Sequence, residues 1–412
     1  MIQPSPYPVG KSFALTFVDD TDLSTRENTE PVYDLLAKRG FWGTKTVWPS
    51  RAKRTSSFRR SDERDDIQEG SGSTLEDPDY AAFILQLKDR GFEIALHGVA
   101  AGNSTRQEIE TGLAYFRHVI GQMPTINAFH RTNLENLYCG IHKLDSRLFR
   151  LIERLVDHSE YEGHKPGTPS FWGDIAHDTF RYVRLPFHTI DEVNTLKVNP
   201  SMPFRDRKRP HVRRWFAASD GADVVRFNRL LSESSVHRLA RQRGVCVIYT
   251  HFAKGFARRR SGVHALDEAF VRTIDRVTSL PGAWFAAASD VLDRLEAVRG
   301  VSLQHEDKRI VLENTGERPV HDLVMRVPPG MEVFTREGRS LNTDDGTVLV
   351  PDLQPFASEE LTTNQAGRQL IAASMPEIAR RERTSIEYRN YVGLLRGWYR
   401  DRLHYLQAQS AH

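Results

Sequence analysis

Ser12-Phe13-Ala14-Leu15-Thr16-Phe17-Val18-Asp19-Asp20 is a short, apolar, β-rich run that ends on two carboxylates. It reads as a buried strand. A helix is expected from roughly 27 to 39, with Val32, Leu35 and Leu36 as its apolar stripe and Gly40 as its stop. Thr44 to Trp48 reads as a second strand. The same alternation continues along the chain. A helix from Tyr80 to Arg90 precedes the strand 92–96, which delivers His97. A helix from Ser104 to Ile120, capped by Ser104 or Thr105 with Gln107 and Glu108 three residues beyond, precedes a strand from Thr125 to His130. Further on come a helix 145–156, a strand Arg181 to Pro186, a helix Val224 to Arg243 and the most strand-like run, 244–250, which ends in His251. A last helix–strand–helix set fills 266–297. Strand and helix alternating from 12 to 297 is the pattern of a parallel sheet or barrel.

The chain divides into three parts by texture. Residues 1–298 form the α/β part, interrupted at 51–79 by a charged, Gly/Ser-bearing stretch expected to be an exposed loop. Residues 299–365 carry short β runs separated by turn residues, which reads as a small antiparallel β-sandwich-like module. Residues 366–412 read as a basic amphipathic helical tail. It holds eight Arg against four acidic residues, so its +4 exceeds the +3 of the whole 412-residue chain. Such a tail can dock on the barrel, pair with another subunit to make an oligomer, or make a peripheral contact with an anionic membrane.

Composition excludes some classes. Hydrophobic residues make up 39%, enough for a core. No apolar run reaches the roughly 18 residues of a transmembrane span. A net charge of +3 on this length does not argue for nucleic acid. Two cysteines, Cys139 and Cys246, make no disulfide framework. The first eight residues have neither a basic n-region nor an apolar h-region, so a cytoplasmic protein is expected.

In α/β architectures the C-terminal ends of the strands form the active face. The polar residues at those ends are Asp19 and Asp20, His97, His130 with Arg131, and His251. Two carboxylates and three histidines converging on one mouth can hold a divalent metal and leave an acid and a base free. Glu135, Tyr138 and Cys139 follow and can line a pocket. His164, His177 and His188 fit no helix or strand face and read as surface or satisfied histidines. The basic run 254–260 reads as a solvated loop or a clamp for phosphate or an acidic sugar.

Several of these runs resemble the motifs of the polysaccharide deacetylases (NodB-homology domain, carbohydrate esterase family 4). Ala14 to Asp20 resembles the first motif, Thr-Phe-Asp-Asp, with Val18 as a one-residue variation. Glu93 to Gly98 resembles the second, and Ile248 to His251 the last. The resemblance spans about 12–297 and implies a distorted (β/α) barrel and metal-dependent removal of an acyl group from an N-acyl amino sugar or related carbohydrate amide. It implies Asp19 as general base, Asp20 and His97 as ligands of a divalent metal such as zinc, and His251 as general acid. Arg131 would pair with the base, and Asp174 would tune the acid histidine. The implied substrate is a carbohydrate or sugar conjugate. The family's second motif carries another His after the first, whereas Gly98 to Ser104 holds none. Three readings follow: His130, or less suitably Asn103, supplies the missing ligand; the barrel is catalytically degenerate and binds a glycan or a protein; or the site works without metal or with another ion.

Overall fold

A computed structural model describes residues 1–54, 72–130, 133–156, 160–187, 189–260, 263–343, 345–374 and 376–409, side chains 156, 260, 263 and 397–409 excepted. The chain starts with a short strand, β1 (Gln3–Ser5), and then enters a nine-stranded sheet. Its strands are β2 (Phe13–Asp19), β3 (Thr44–Val47), β4 (Glu93–Leu96), β5 (Ile126–Asn127), β6 (Tyr182–Arg184), β7 (Trp215–Phe216), β8 (Ser219–Asp220), β9 (Val245–Thr250) and, after the hairpin β10 (Ala257–Arg260) and β11 (Val263–Leu266), β12 (Ala283–Phe285). Every pairing in that sheet is parallel. β2 is its centre. It pairs with β9 along one side, and with β12 and then β3 along the other.

The sheet curls into a distorted (β/α) barrel. The extended segment that contains β7 and β8 shows how it closes. Trp215 and Phe216 pair with Val183 and Arg184 of β6; after two intervening residues, Ser219 and Asp220 pair with Ile248 and Tyr249 of β9. One stretch of chain therefore joins the two edges, which only a curled sheet allows.

The expected helices form where capping permits. Thr25 and Thr105 each make a reciprocal capping box, at the starts of the helices Arg26–Lys38 and Arg106–Ile120. Gly121, at φ +83, ends the second of these in the left-handed conformation that glycine favours. The helix expected over 224–243 is two, Val224–Leu230 and Glu233–Arg241, with Ser232 opening the second. The helix Ala288–Arg299 crosses the strand starts. Its first amides bond Thr44 and Glu93, Asp293 bonds Arg181 and Tyr182, and Glu296 bonds Arg214. The barrel is thus plugged at its N-terminal end, and the C-terminal strand ends are the mouth.

Strand alternation sorts the side chains. Phe13, Leu15 and Phe17 face outward into the layer of helices, with Tyr33 and Leu36. Ala14 and Val18 face inward, with Ala95, Ala128, Tyr182, Val245 and Val247.

After the barrel, β13 (Val301–Asn314), β17 (Ser358–Ile371) and β15 (Val333–Thr335) form one antiparallel sheet, while β14 (Leu323–Arg326) and β16 (Thr347–Val350) form another with β1. Their apolar faces share one core around Leu303, Ile310, Leu323, Met325, Val348 and Leu361. Two expected limits shift. The first residues belong to this β assembly, because β1 pairs with β14 and Ile2 is buried in its core. The last strand passes 365 and runs to Ile371. The final helix is Arg380–Gln409. Of the expected loop at 51–79, residues 55–71 lie outside the described residues. Its end is packed rather than exposed, with Leu75 buried and its carbonyl accepting from Tyr115.

Candidate metal centre

Four strand exits deliver the inward-facing polar residues. Asp20 continues the inward parity of Val18, His97 that of Ala95, His130 that of Ala128, and His251 that of Tyr249. Gly98, at φ +67, turns the chain directly after His97. All of these residues are buried: His97, His130, His251, Asp20 and Asp22 are between 1% and 6% exposed.

Asp22 is the hub. Its Oδ2 lies 3.2 Å from Nε2 of both His97 and His251, and its Oδ1 lies 3.0 Å from His130 Nε2. Burial alone would push its carboxyl up, but His97, His130 and His251 hold it well below the usual carboxylate range. Asp20 accepts a two-pronged pair of bonds from Arg184, at 2.7 and 2.6 Å. Burial opposes its ionisation too, but Arg184 and then His97 outweigh it and lower the carboxyl. Arg184 sits 4.6 Å from the centre of the Tyr249 ring. Trp48 lies against His97 and His130, and its indole N–H donates to the His97 carbonyl at 2.8 Å.

The outer bonds fix which ring nitrogen carries a proton. His251 Nδ1 lies 2.8 Å from the Ala222 carbonyl. A carbonyl only accepts, so Nδ1 donates. His130 Nδ1 lies 3.1 Å from Asn133 Oδ1, and Asn133 is oriented because its amide donates to Ala100 O, Gly102 O and Glu135 Oε1. His130 Nδ1 therefore donates as well. In their neutral forms both rings aim an Nε2 lone pair at a carboxylate oxygen about 3 Å away, which repels unless a proton or a cation lies between. This is the outer support by which ligating histidines are held.

The residues fit a divalent cation on two further counts. His97 Nδ1 is buried with no hydrogen-bond partner among the described residues, and Asp20 Oδ1 is 3.7 Å away. Asp20, Asp22 and His97 each offer a ligand atom, all within 4.8 Å of one another. That is a nitrogen-and-oxygen donor set suited to zinc or a similar ion.

The expected residues are only partly brought together. Asp20, His97, His130 and His251 meet. Asp19 does not face them: it keeps the outward parity of Phe17. Its Oδ2 accepts from Lys45 and Tyr33 at 2.8 Å each, and its Oδ1 accepts from the Phe252 amide at 2.7 Å. With zero exposure and both oxygens engaged, Asp19 has a structural geometry rather than that of a base meeting water. Asp174 lies on the surface, bonded to Arg106 at 2.7 and 2.8 Å, and the group that orients His251 is the Ala222 carbonyl. Arg131 and His188 lie outside the described residues. Asn103 Oδ1 accepts from the Leu134 amide at 2.9 Å. Glu135 supports the centre through Asn133, and burial pushes its carboxyl up to about 7. Four of the seven residues of the run 254–260 form the strand β10 rather than loop. Asp22 and Arg184 were not among the expected site residues. The signal was parity: Asp22 shares that of Asp20, and Arg184 that of Tyr182 on an expected strand.

No protein-family model matches the chain, and no curated protein matches it. Among solved structures, the chain is similar to a Mycobacterium smegmatis protein assigned to the polysaccharide deacetylases, at 12% identity, 72% of this chain, 94% of that one and a TM-score of 0.41. It is similar to the allantoinase PuuE at 12% identity, 71% of this chain, 94% of that one and a TM-score of 0.41. It is also similar to the peptidoglycan deacetylase PdaC from Bacillus subtilis, at 13% identity, 71% and 94% coverage and a TM-score of 0.34. At such identities the likeness is one of fold.

Proposed function

We propose that this protein is a metal-dependent hydrolase that removes an acyl group from a carbohydrate amide, with an N-acyl amino sugar as the substrate class. The observation that carries the reading is one buried carboxylate, Asp22, faced by the Nε2 atoms of His97, His130 and His251. Asp20, Asp22 and His97 would hold the ion, with His130 beside them on the other oxygen of Asp22. A divalent cation at such a site lowers the pKa of water and polarises a carbonyl.

The chain's own groups do the rest. His251, with its Nδ1 proton fixed on Ala222 O, can take a proton only at Nε2. One imidazole can therefore accept the proton of the attacking water and return it to the departing amine nitrogen. Asp22, at 3.2 Å, stabilises the imidazolium between the two transfers. Arg184 pins Asp20 and balances its charge, so Asp20 stays ionised at neutral pH.

The test is acetate release from N-acetylglucosamine oligomers by protein stripped of metal and reloaded with zinc, cobalt or manganese. Turnover should depend on the added ion and fall about 100- to 10,000-fold in His251→Ala, the usual worth of a positioned acid–base group. Turnover unaffected by chelation, or by His251→Ala, would remove the reading.

A further inference from the structure

The C-terminal helix and the helix Arg147–Val156 lie against each other. Tyr391 stacks on Phe149 with ring centres 4.6 Å apart, and its hydroxyl bonds Glu153. Beyond this contact both helices turn leucines outward. On the shorter helix Leu148, Leu151 and Leu155 are 62%, 57% and 72% exposed, a stripe at three- and four-residue steps. On the C-terminal helix Leu395 is 66% and Leu394 44% exposed. An apolar face of this kind on one helix pair marks a contact surface.

The charges are sorted as well. Each acid whose side chain is described on these two helices turns inward. Glu153 pairs with Lys143, Glu382 accepts from Asn199 and Ser201, and Glu387 accepts from the amides of Asp145 and Ser146. The arginines beside the leucines stay out: Arg147, Arg150 and Arg154 are exposed, as is Arg396 next to Leu394 and Leu395. A helix turn of 100° per residue puts Arg147, Arg150 and Arg154 on the flank next to the leucine stripe. A second copy of the chain would set arginine against arginine, with no outward acid among the described side chains of either helix to answer it. A surface of fixed negative charge and apolar interior answers both features.

We propose that this helix pair docks on an anionic phospholipid surface, with the leucines entering the acyl boundary and the arginines at the headgroups. The inference is independent of the chemistry of the metal centre. The test is co-sedimentation of the full chain with phosphatidylcholine vesicles with and without phosphatidylglycerol, alongside its mass in solution. Binding should require phosphatidylglycerol and weaken as salt screens the arginines. It should fall about tenfold or more in Arg147→Glu/Arg154→Glu, each arginine at such a surface being worth about that factor or a little less. It should be lost in Leu148→Ser/Leu151→Ser/Leu155→Ser, whose positions are exposed and leave the fold intact. No binding to the anionic vesicles, or binding that both variants retain, overturns the proposal. So does a dimer that the leucine variant dissociates, which would assign the face to a second copy.

Discussion

Asp19 and Asp20 are neighbours at the end of one strand. Both are buried carboxylates paired with a buried cation, Lys45 for one and Arg184 for the other. They differ in the face of the sheet they occupy. Asp19 points into the helix layer, where Lys45, Tyr33 and the Phe252 amide use both its oxygens. Asp20 points into the barrel mouth, beside His97. The first pair ties β2 to β3 and to the turn that follows His251. The second fixes a carboxylate at the metal centre. A step of one residue along a strand thus separates scaffold from chemistry.

Breaking the two pairs should show this most strongly. Lys45→Met and Arg184→Met each leave a buried charge unanswered, at a cost of about 3–5 kcal/mol in urea unfolding. Only Arg184→Met should also change ion affinity, because only its partner stands at the centre. Equal effects of both on ion binding would erase the distinction. Asn133→Ala is a smaller change. It removes the acceptor that orients His130, and ion affinity measured by competition with a chelator should weaken by about 10- to 100-fold, the range for lost outer support. An unchanged affinity would place His130 outside the ligand set.

The mildest effect is expected at a third carboxylate, Glu93, half-buried with one oxygen enclosed. Glu93 makes no ion pair among the described residues. Burial, opposed by bonds from Thr44 and Ser289, pushes it up to about 7. A raised acid binds more protons in the folded state than in the unfolded one, between its ordinary value and about 7. Stability should therefore fall as pH rises from about 4.5 to 7, and then level off. Glu135, raised to about 7 as well, contributes to the same fall, so Glu93→Gln should lessen the slope over that window rather than remove it, and unfolding midpoints taken across it give the answer. Asp20 and Asp22 work in the opposite sense. Their lowered values add stability above about pH 4, which is lost as acid protonates them.

Much of this was legible in the sequence. The alternation of elements, the strand exits at His97, His130 and His251, and the capping box at Thr105 follow from local pattern. The choice among carboxylates was harder, because Asp19 stands where the motif it resembles places a base. Alternation along 13–19 sets it with Phe13, Leu15 and Phe17, so its outward direction could be read. Its partner Lys45 could not, since that contact joins two strands 26 residues apart. Arg184 was hidden for a similar reason: its strand was expected, but the pairing to Asp20 spans 164 residues. The placing of β1 beside β14 is a long-range pairing that no local pattern encodes.

The proposed hold on a divalent ion is Asp22 with Asp20 and His97. Equilibrium dialysis of metal-stripped protein against zinc, with bound metal counted by mass spectrometry, tests it most directly when wild type is compared with Asp22→Ala and Asp19→Asn. Stoichiometric binding is expected, abolished in Asp22→Ala and retained in Asp19→Asn. Wild-type protein that takes up no ion, or an Asp22→Ala variant that binds as tightly as wild type, would contradict it.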